Sequence, residues 1–106
     1  MGQWPSEALF LASIAGAYQV AFAKAASKSH LEFTCLKVRV SCISCIQDGV
    51  VQMADILLKP LAGICRQKDM DDALQQLYLC QKRSAVLNSV RSRIHIFPSV
   101  FLDMEQ

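Results

Sequence analysis

Residues 8–26 read ALFLASIAGAYQVAFAKAA and are apolar except at Ser13, Gln19 and Lys24. The preceding Pro5-Ser6-Glu7 is typical of a helix start. The run therefore predicts a central helix that is buried on most sides.

The same run is just long enough to span a bilayer. Its many alanines, its regularly spaced polar residues and the lack of a preceding cationic flank favour a core helix over a membrane span. A small membrane-associated protein inserted by this helix is kept as an alternative hypothesis.

The composition indicates one folded domain. The chain has 106 residues, of which 53% are hydrophobic, and carries 11 Lys and Arg against 9 Asp and Glu. These values exclude a disordered segment, so we treat residues 1–106 as a single domain. The net charge of +2 comes from charges scattered along the chain, which disfavours a nucleic-acid partner.

The chain has five cysteines, which is an odd number, and no secretory signal is visible. Together these features predict free thiols in a reducing cytoplasm.

A β-hairpin is predicted after the first helix. Within residues 36–42, apolar residues alternate with Lys, Arg and Ser, which indicates a strand with one polar face. Asp48-Gly49 is a hairpin-type turn. Residues 50–58 form a second apolar run, which we expect to end at Lys59-Pro60.

An amphipathic helix is predicted from Asp69 onward, followed by one more strand. The residues that share the apolar face of this helix are Met70, Ala73, Leu74, Leu77, Cys80, Ser84 and Leu87. Alternation from Ile94 to Met104 indicates the last strand, in which Pro98 predicts an edge position or a bulge. The fold class is therefore α+β in the order α-β-β-α-β, with an antiparallel-rich sheet. Because this sheet is small for two helices, we expect dimerisation to complete it.

Cys42 and Cys45 have the spacing of a redox pair or of half a zinc site. They end a strand rather than begin a helix, and no second close pair of Cys or His is present, so we interpret both as ordinary half-buried thiols. His30 and His95 are interpreted as solvated surface residues. Neither a metal site nor a cofactor is predicted, since the chain lacks a Gly-rich phosphate loop and a nucleophile elbow.

Residues 5–18, PSEALFLASIAGAY, resemble the segment that opens the central helix of the OsmC/Ohr family. In that family a Pro-x-Glu start leads through small residues to a cysteine. The strand, strand, helix, strand order also matches, and Cys80-Gln-Lys-Arg-Ser84 stands where the family has Cys-Pro-x-Ser. The match covers nearly the whole chain as the C-terminal two thirds of a family member, so the family's N-terminal strands would be lacking.

The resemblance implies two-cysteine reduction of organic hydroperoxides. A thiolate on the first helix attacks the O–O bond and becomes a sulfenic acid, which a cysteine on the later helix resolves as a disulfide. Cys80 matches the resolving cysteine, and Glu7 matches the carboxylate that steadies the thiolate. The peroxidatic cysteine falls on Ala17, with Gly16 and Tyr18 as neighbouring registers, and none of these residues is a thiol.

These departures predict an OsmC-like domain that has lost the peroxidatic thiol and acts as a binding or structural module. Its binding residues would be Ala17, Tyr18 and Ser84, with Cys80 and Glu7 at the remaining catalytic positions. From the resemblance we expect a cytoplasmic homodimer with a small hydrophobic or peroxide ligand at the subunit interface. A thiol-dependent peroxide reductase that works through Cys80 alone is the alternative.

Overall fold

The computed structural model describes residues 6–103, with side chains from residue 8 onward. The helices are α1 (Ser6–Lys28), α2 (Met70–Leu79) and α3 (Ala85–Asn88), and the strands are β1 (Phe33–Gln47), β2 (Val50–Ile64), β3 (Arg93–Ile96) and β4 (Ser99–Leu102). Two 3₁₀ turns, Gln67–Asp69 and Cys80–Arg83, flank α2. Met104, which the alternation assigns to the last strand, lies outside the described residues.

β2 is the central strand and pairs with β1 on one side and with β3 and β4 on the other. β1 and β2 form the predicted antiparallel hairpin. Its turn residues have positive φ, 56° for Asp48 and 76° for Gly49, as a type I′ turn requires. β3 and β4 run parallel to β2, because the chain crosses back through the helices before it reaches that edge. The predicted α+β class and element order are confirmed.

β2 does not end at Lys59-Pro60, as the sequence pattern predicts, but continues to Ile64. Pairing with β3 ends at Leu58, and pairing with β4 begins at Leu61. The carbonyl oxygens of Leu58 and Ile64 accept hydrogen bonds from this side. Pro60 has the same parity, so its missing N–H falls at the gap between β3 and β4 and costs no ladder hydrogen bond. The predicted end of β2 was wrong because the effect of Pro60 depends on what lies opposite it in the sheet. Tertiary pairing determines this, and the local sequence does not.

The closing strand is interrupted at Phe97-Pro98, which separates β3 from β4. Both segments lie at an edge of the sheet that the described residues form. The prediction of an edge position or a bulge at Pro98 is therefore confirmed.

The helices pack against one face of the sheet. α1 contributes Ile14, Tyr18 and Phe22 to the core at four-residue spacing. The Phe22 ring meets the Phe33 ring of β1 edge-on, with 5.0 Å between the ring centroids. The core residues of β2 on this face are Ile56, Leu58, Ala62 and Ile64.

The other side of α1 stays exposed in the described chain. Leu9 and Val20 are 57% and 56% exposed, so the expected burial of this helix on most sides is not met within one chain. From Ala8 to Lys28 the helix is also long and apolar enough to cross a membrane. This is weak support for a membrane span, because the core helix of a soluble protein passes the same test.

The predicted second helix is broken into two pieces. α2 ends at Leu79, a 3₁₀ turn follows, and Ser84 Oγ caps α3 by accepting a hydrogen bond from the Leu87 backbone N–H at 3.3 Å. The apolar face is nevertheless confirmed over both pieces. Its buried members are Ala73, Leu77, Cys80, Ser84 and Leu87.

Gly63 provides a test of the packing across the sheet. It lies between Cys35 of β1 and Phe101 of β4. A Cβ at this position would lie 2.6 Å from Thr34 Oγ1 and 2.8 Å from Phe101 Cζ. We expect Gly63→Ala to lower the free energy of unfolding, measured in urea, by about 1–3 kcal/mol, the usual cost of overpacking. In the double variant with Phe101→Ala, the loss should be smaller than the sum of the two single losses. Additive losses would contradict the contact.

Candidate functional site

Cys80 begins the 3₁₀ turn after α2 and is the most enclosed thiol. It is 0% exposed, whereas Cys35 and Cys42 are half-buried and Cys45 and Cys65 are exposed. Its place on the apolar face of this segment turns the side chain toward α1 and the sheet. The prediction that Cys80 points inward is confirmed.

Tyr18 of α1 lies beside Cys80 in the core. Its hydroxyl donates to the backbone carbonyl oxygen of Leu77, and Cys80 Sγ donates to the same oxygen at 3.7 Å. The two side chains thus meet at one acceptor atom. A buried tyrosine hydroxyl needs a hydrogen-bond partner, and the Leu77 carbonyl oxygen is that partner. One carbonyl oxygen therefore joins α1 to the end of α2.

Both side chains are neutral at pH 7. Burial raises the pKa of the Cys80 thiol, and the nearby Tyr18 hydroxyl and Arg83 guanidinium offset this only in part. Burial likewise raises the pKa of Tyr18, with a further contribution from Cys80. The thiolate is the reactive form of cysteine, so this environment favours an unreactive Cys80.

A shallow pocket of about 440 Å³ lies between α1 and α3. It brings together two of the predicted binding residues, Ala17 from α1 and Ser84 from the cap of α3. Lys24 and Arg83 also line it. Its other walls are apolar and are formed by Val20, Ala21, Ala85 and Val86. Such a lining suits a small apolar molecule.

The third predicted binding residue, Tyr18, does not line this pocket but contacts Cys80 behind its wall. The first helix therefore presents two neighbouring residues to two environments. Ala17 faces the pocket, and Tyr18 faces the core.

Sequence reasoning missed three groups at this site. Lys24 follows Ala17 by two helical turns and Arg83 directly precedes Ser84, so their spacing carried a usable signal. The third group is the backbone carbonyl of Leu77. No side-chain pattern encodes a backbone acceptor.

Glu7 belongs to the first turn of α1, but its side chain lies outside the described residues. Its assignment as a carboxylate near the thiolate stays a prediction from the resemblance. The pocket and the Tyr18–Cys80 contact are formed by other residues.

The remaining candidate residues form no second reactive centre in the described part of the chain. Cys42 is half-buried and Cys45 is exposed, both in β1. Residues 8–103 contain no group of three or more His, Cys, Asp or Glu side chains placed to hold a metal ion. His95 is not simply solvated, because its Nε2 lies 2.8 Å from Asp55 Oδ1 on the neighbouring strand.

Comparison with known proteins places this fold among OsmC-like structures. The sequence matches no protein-family model and no curated protein. An OsmC-like protein of unknown function from Vibrio cholerae superposes with a TM-score of 0.73 at 14% identity, over 85% of this chain and 60% of that one. The chain thus spans less than two thirds of that protein's length.

Two further structures have the same fold. An organic hydroperoxide resistance protein from Elizabethkingia anophelis gives a TM-score of 0.72 at 14% identity, over 96% of this chain and 71% of that one. A hypothetical protein from Aquifex aeolicus gives 0.75 at 19% identity, over 100% and 79%. These likenesses confirm the OsmC/Ohr resemblance at the level of the fold.

The Tyr18 hydroxyl can be tested by its removal. Tyr18→Phe leaves the buried Leu77 carbonyl without this donor, so we expect the free energy of unfolding to fall by about 1–3 kcal/mol. Urea denaturation measures the loss. The matched control is Tyr78→Phe, because Tyr78 is an exposed tyrosine on α2 and should lose almost nothing. Equal losses in the two variants would contradict a stabilising contact at Tyr18.

Proposed function

We propose that this chain is an OsmC-like binding domain that does not reduce hydroperoxides. The observation that carries the proposal is that Cys80 meets the hydroxyl of Tyr18, and not a second thiol, where α1 and α2 touch. Helix α1 contains no cysteine at all. A hydroxyl cannot replace a thiolate as the nucleophile toward an O–O bond, so a two-cysteine cycle has no first step here.

The state of Cys80 argues against a cycle with one cysteine. The thiol is fully buried, and its raised pKa keeps it protonated at pH 7. A peroxide would have to reach the sulfur through the core and would meet the less nucleophilic form. Both features favour a structural role for Cys80.

The pocket of Ala17 and Ser84 supports binding as the remaining role. Its volume of about 440 Å³ and its mostly apolar lining suit a small organic molecule. Several proteins of similar fold are described as organic hydroperoxide resistance proteins, which favours an organic hydroperoxide or the alcohol derived from it. We place the function in the cytoplasm, where the five free cysteines would stay reduced.

The enzymatic alternative is tested with cumene hydroperoxide and dithiothreitol. We expect the wild-type protein to consume the hydroperoxide no faster than Cys80→Ala does, because Cys80 is buried and protonated. The rate is followed by the loss of hydroperoxide. Consumption by the wild type that Cys80→Ala lacks would contradict the proposal and support a peroxide reductase that works through Cys80.

The binding role is tested with cumyl alcohol, the apolar product of that hydroperoxide, by chemical-shift titration of backbone amides. Shifts should centre on Ala17 and Ser84 and disappear in Ala17→Phe, whose ring fills the pocket. Ser27→Phe adds the same ring at an exposed site outside the pocket and should leave binding unchanged. Undiminished binding by Ala17→Phe would contradict the assigned pocket.

We further propose that two copies of the chain associate through the exposed side of α1. Leu9 and Phe10 are exposed there, and an apolar groove of about 300 Å³ runs between α1 and β1, with Ala12 and Val38 in its walls. The tip of the hairpin adds exposed apolar residues, namely Ile43, Ile46, Val50 and Val51. Soluble monomers rarely leave so much apolar surface uncovered, and a symmetric second copy would cover the same patch on both subunits.

Light scattering at micromolar concentration tests this association. The wild type should have twice the chain mass of 11.8 kDa, and Leu9→Glu should shift the mass toward that of one chain, because it places a charge in the apolar contact. Tyr78→Glu is the control, since it adds the same charge at an exposed site on α2. A wild-type protein that stays monomeric would contradict the proposed dimer.

A further inference from the structure

The face of the sheet that is turned away from the helices carries a cluster of unpaired cations. Lys37 and Arg39 of β1 and Lys59 of β2 are all exposed on this face. None of them forms an ion pair with a carboxylate of the described residues. The cluster is distinct from the pocket of Ala17 and Ser84, which lies on the helical side.

The strand register brings these charges close together. Arg39 lies directly opposite Lys59, and Lys37 follows on the same face two residues away. Like charges directly opposite each other on neighbouring strands destabilise a sheet. An anion bound over the three side chains would turn this repulsion into attraction.

A depression of about 450 Å³ lies at the cluster. Besides the three cations, Pro60, Leu61, Phe97 and Ser99 line it. It lies beside the interruption between β3 and β4, and the Phe97 ring at this interruption is 53% exposed. The depression therefore combines a positive side, a hydroxyl and an aromatic ring.

The neighbouring carboxylate does not neutralise the cluster. Asp55 accepts from Arg93 Nε at 3.0 Å and lies 2.8 Å from His95 Nε2. The hydrogen bond with His95 is the main cause that holds the pKa of Asp55 below its usual range, with Arg93 adding to it. Asp55 is thus engaged by Arg93 and His95 and not by the three cations of the cluster.

We propose that this depression binds a phosphate monoester that carries a planar apolar group. A phosphate monoester bears a charge of about −1.5 to −2 at pH 7 and three acceptor oxygens, which suits three clustered cations better than a single carboxylate does. The exposed Phe97 ring would stack on the planar group, and the Ser99 hydroxyl would donate to the phosphate. Binding would weaken as salt is added, because the cations are exposed.

Phenyl phosphate is the probe, with thermal unfolding and calorimetric titration as readouts. We expect it to raise the Tm of the wild type and to bind at least about tenfold more weakly to the triple variant Lys37→Gln/Arg39→Gln/Lys59→Gln, since charge-assisted hydrogen bonds are lost. The Phe97→Ala variant should bind phenyl phosphate no more tightly than inorganic phosphate. The wild type should not bind phenol. Lys68→Gln, at an exposed lysine of the first 3₁₀ turn, is the control and should bind as the wild type does.

Three results would overturn the proposal. These are failure of the wild type to bind phenyl phosphate, unchanged binding by the triple variant, and binding of phosphatidylglycerol vesicles without binding of the free phosphate, which would assign the face to a lipid surface.

In the absence of any ligand, Lys59→Gln should not lower the Tm, because it removes a repulsive cross-strand pair. A lower Tm would contradict the repulsion from which the site is inferred. None of these outcomes changes the binding predicted for the pocket of Ala17 and Ser84.

Discussion

The backbone carbonyl oxygen of Leu77 accepts hydrogen bonds from two side chains that enter the core from different segments of the chain. Tyr18 reaches it from α1, and Cys80 reaches it from the turn that ends α2. A buried hydroxyl without a partner would cost the fold about 1–3 kcal/mol, so this contact restricts how α1 can rotate over the sheet. That orientation places Ala17 at the pocket beside Ser84. The same packing buries Cys80, and this burial keeps the thiol protonated although Tyr18 and Arg83 act in the opposite direction.

β2 organises the other half of the molecule. Its two faces differ because side chains alternate along a strand, so Leu58 is buried under the helices while Lys59 is exposed on the opposite side. Pro60 and the interruption at Phe97-Pro98 lie at the same level of the sheet. The gap costs little in hydrogen bonding and leaves the depression beside the cationic cluster. The two proposed sites therefore lie on opposite sides of the sheet, one among the helices and one on the outer face, and can be altered separately.

Much of this fold could be predicted from local patterns, because each pattern concerned residues that are close in sequence. The apolar run in α1, the alternation in β1 and the Asp48-Gly49 turn predict their elements without tertiary information. The end of β2 could not be predicted, since the effect of Pro60 depends on a strand that lies more than thirty residues later. The family resemblance limited the α1 residue that could face Cys80 to three neighbouring positions. Only the packed structure assigns Tyr18 to Cys80 and Ala17 to the pocket.

Cys80 is held as a buried, protonated thiol in the native protein. Timed alkylation of the native protein with iodoacetamide, read by mass spectrometry for each cysteine, tests it most directly. We expect Cys80 to be modified last, after the exposed Cys45 and Cys65, and we expect unfolding in urea to remove the difference. Modification of Cys80 before Cys45 in the native protein would show an accessible thiolate and would contradict a buried, protonated Cys80.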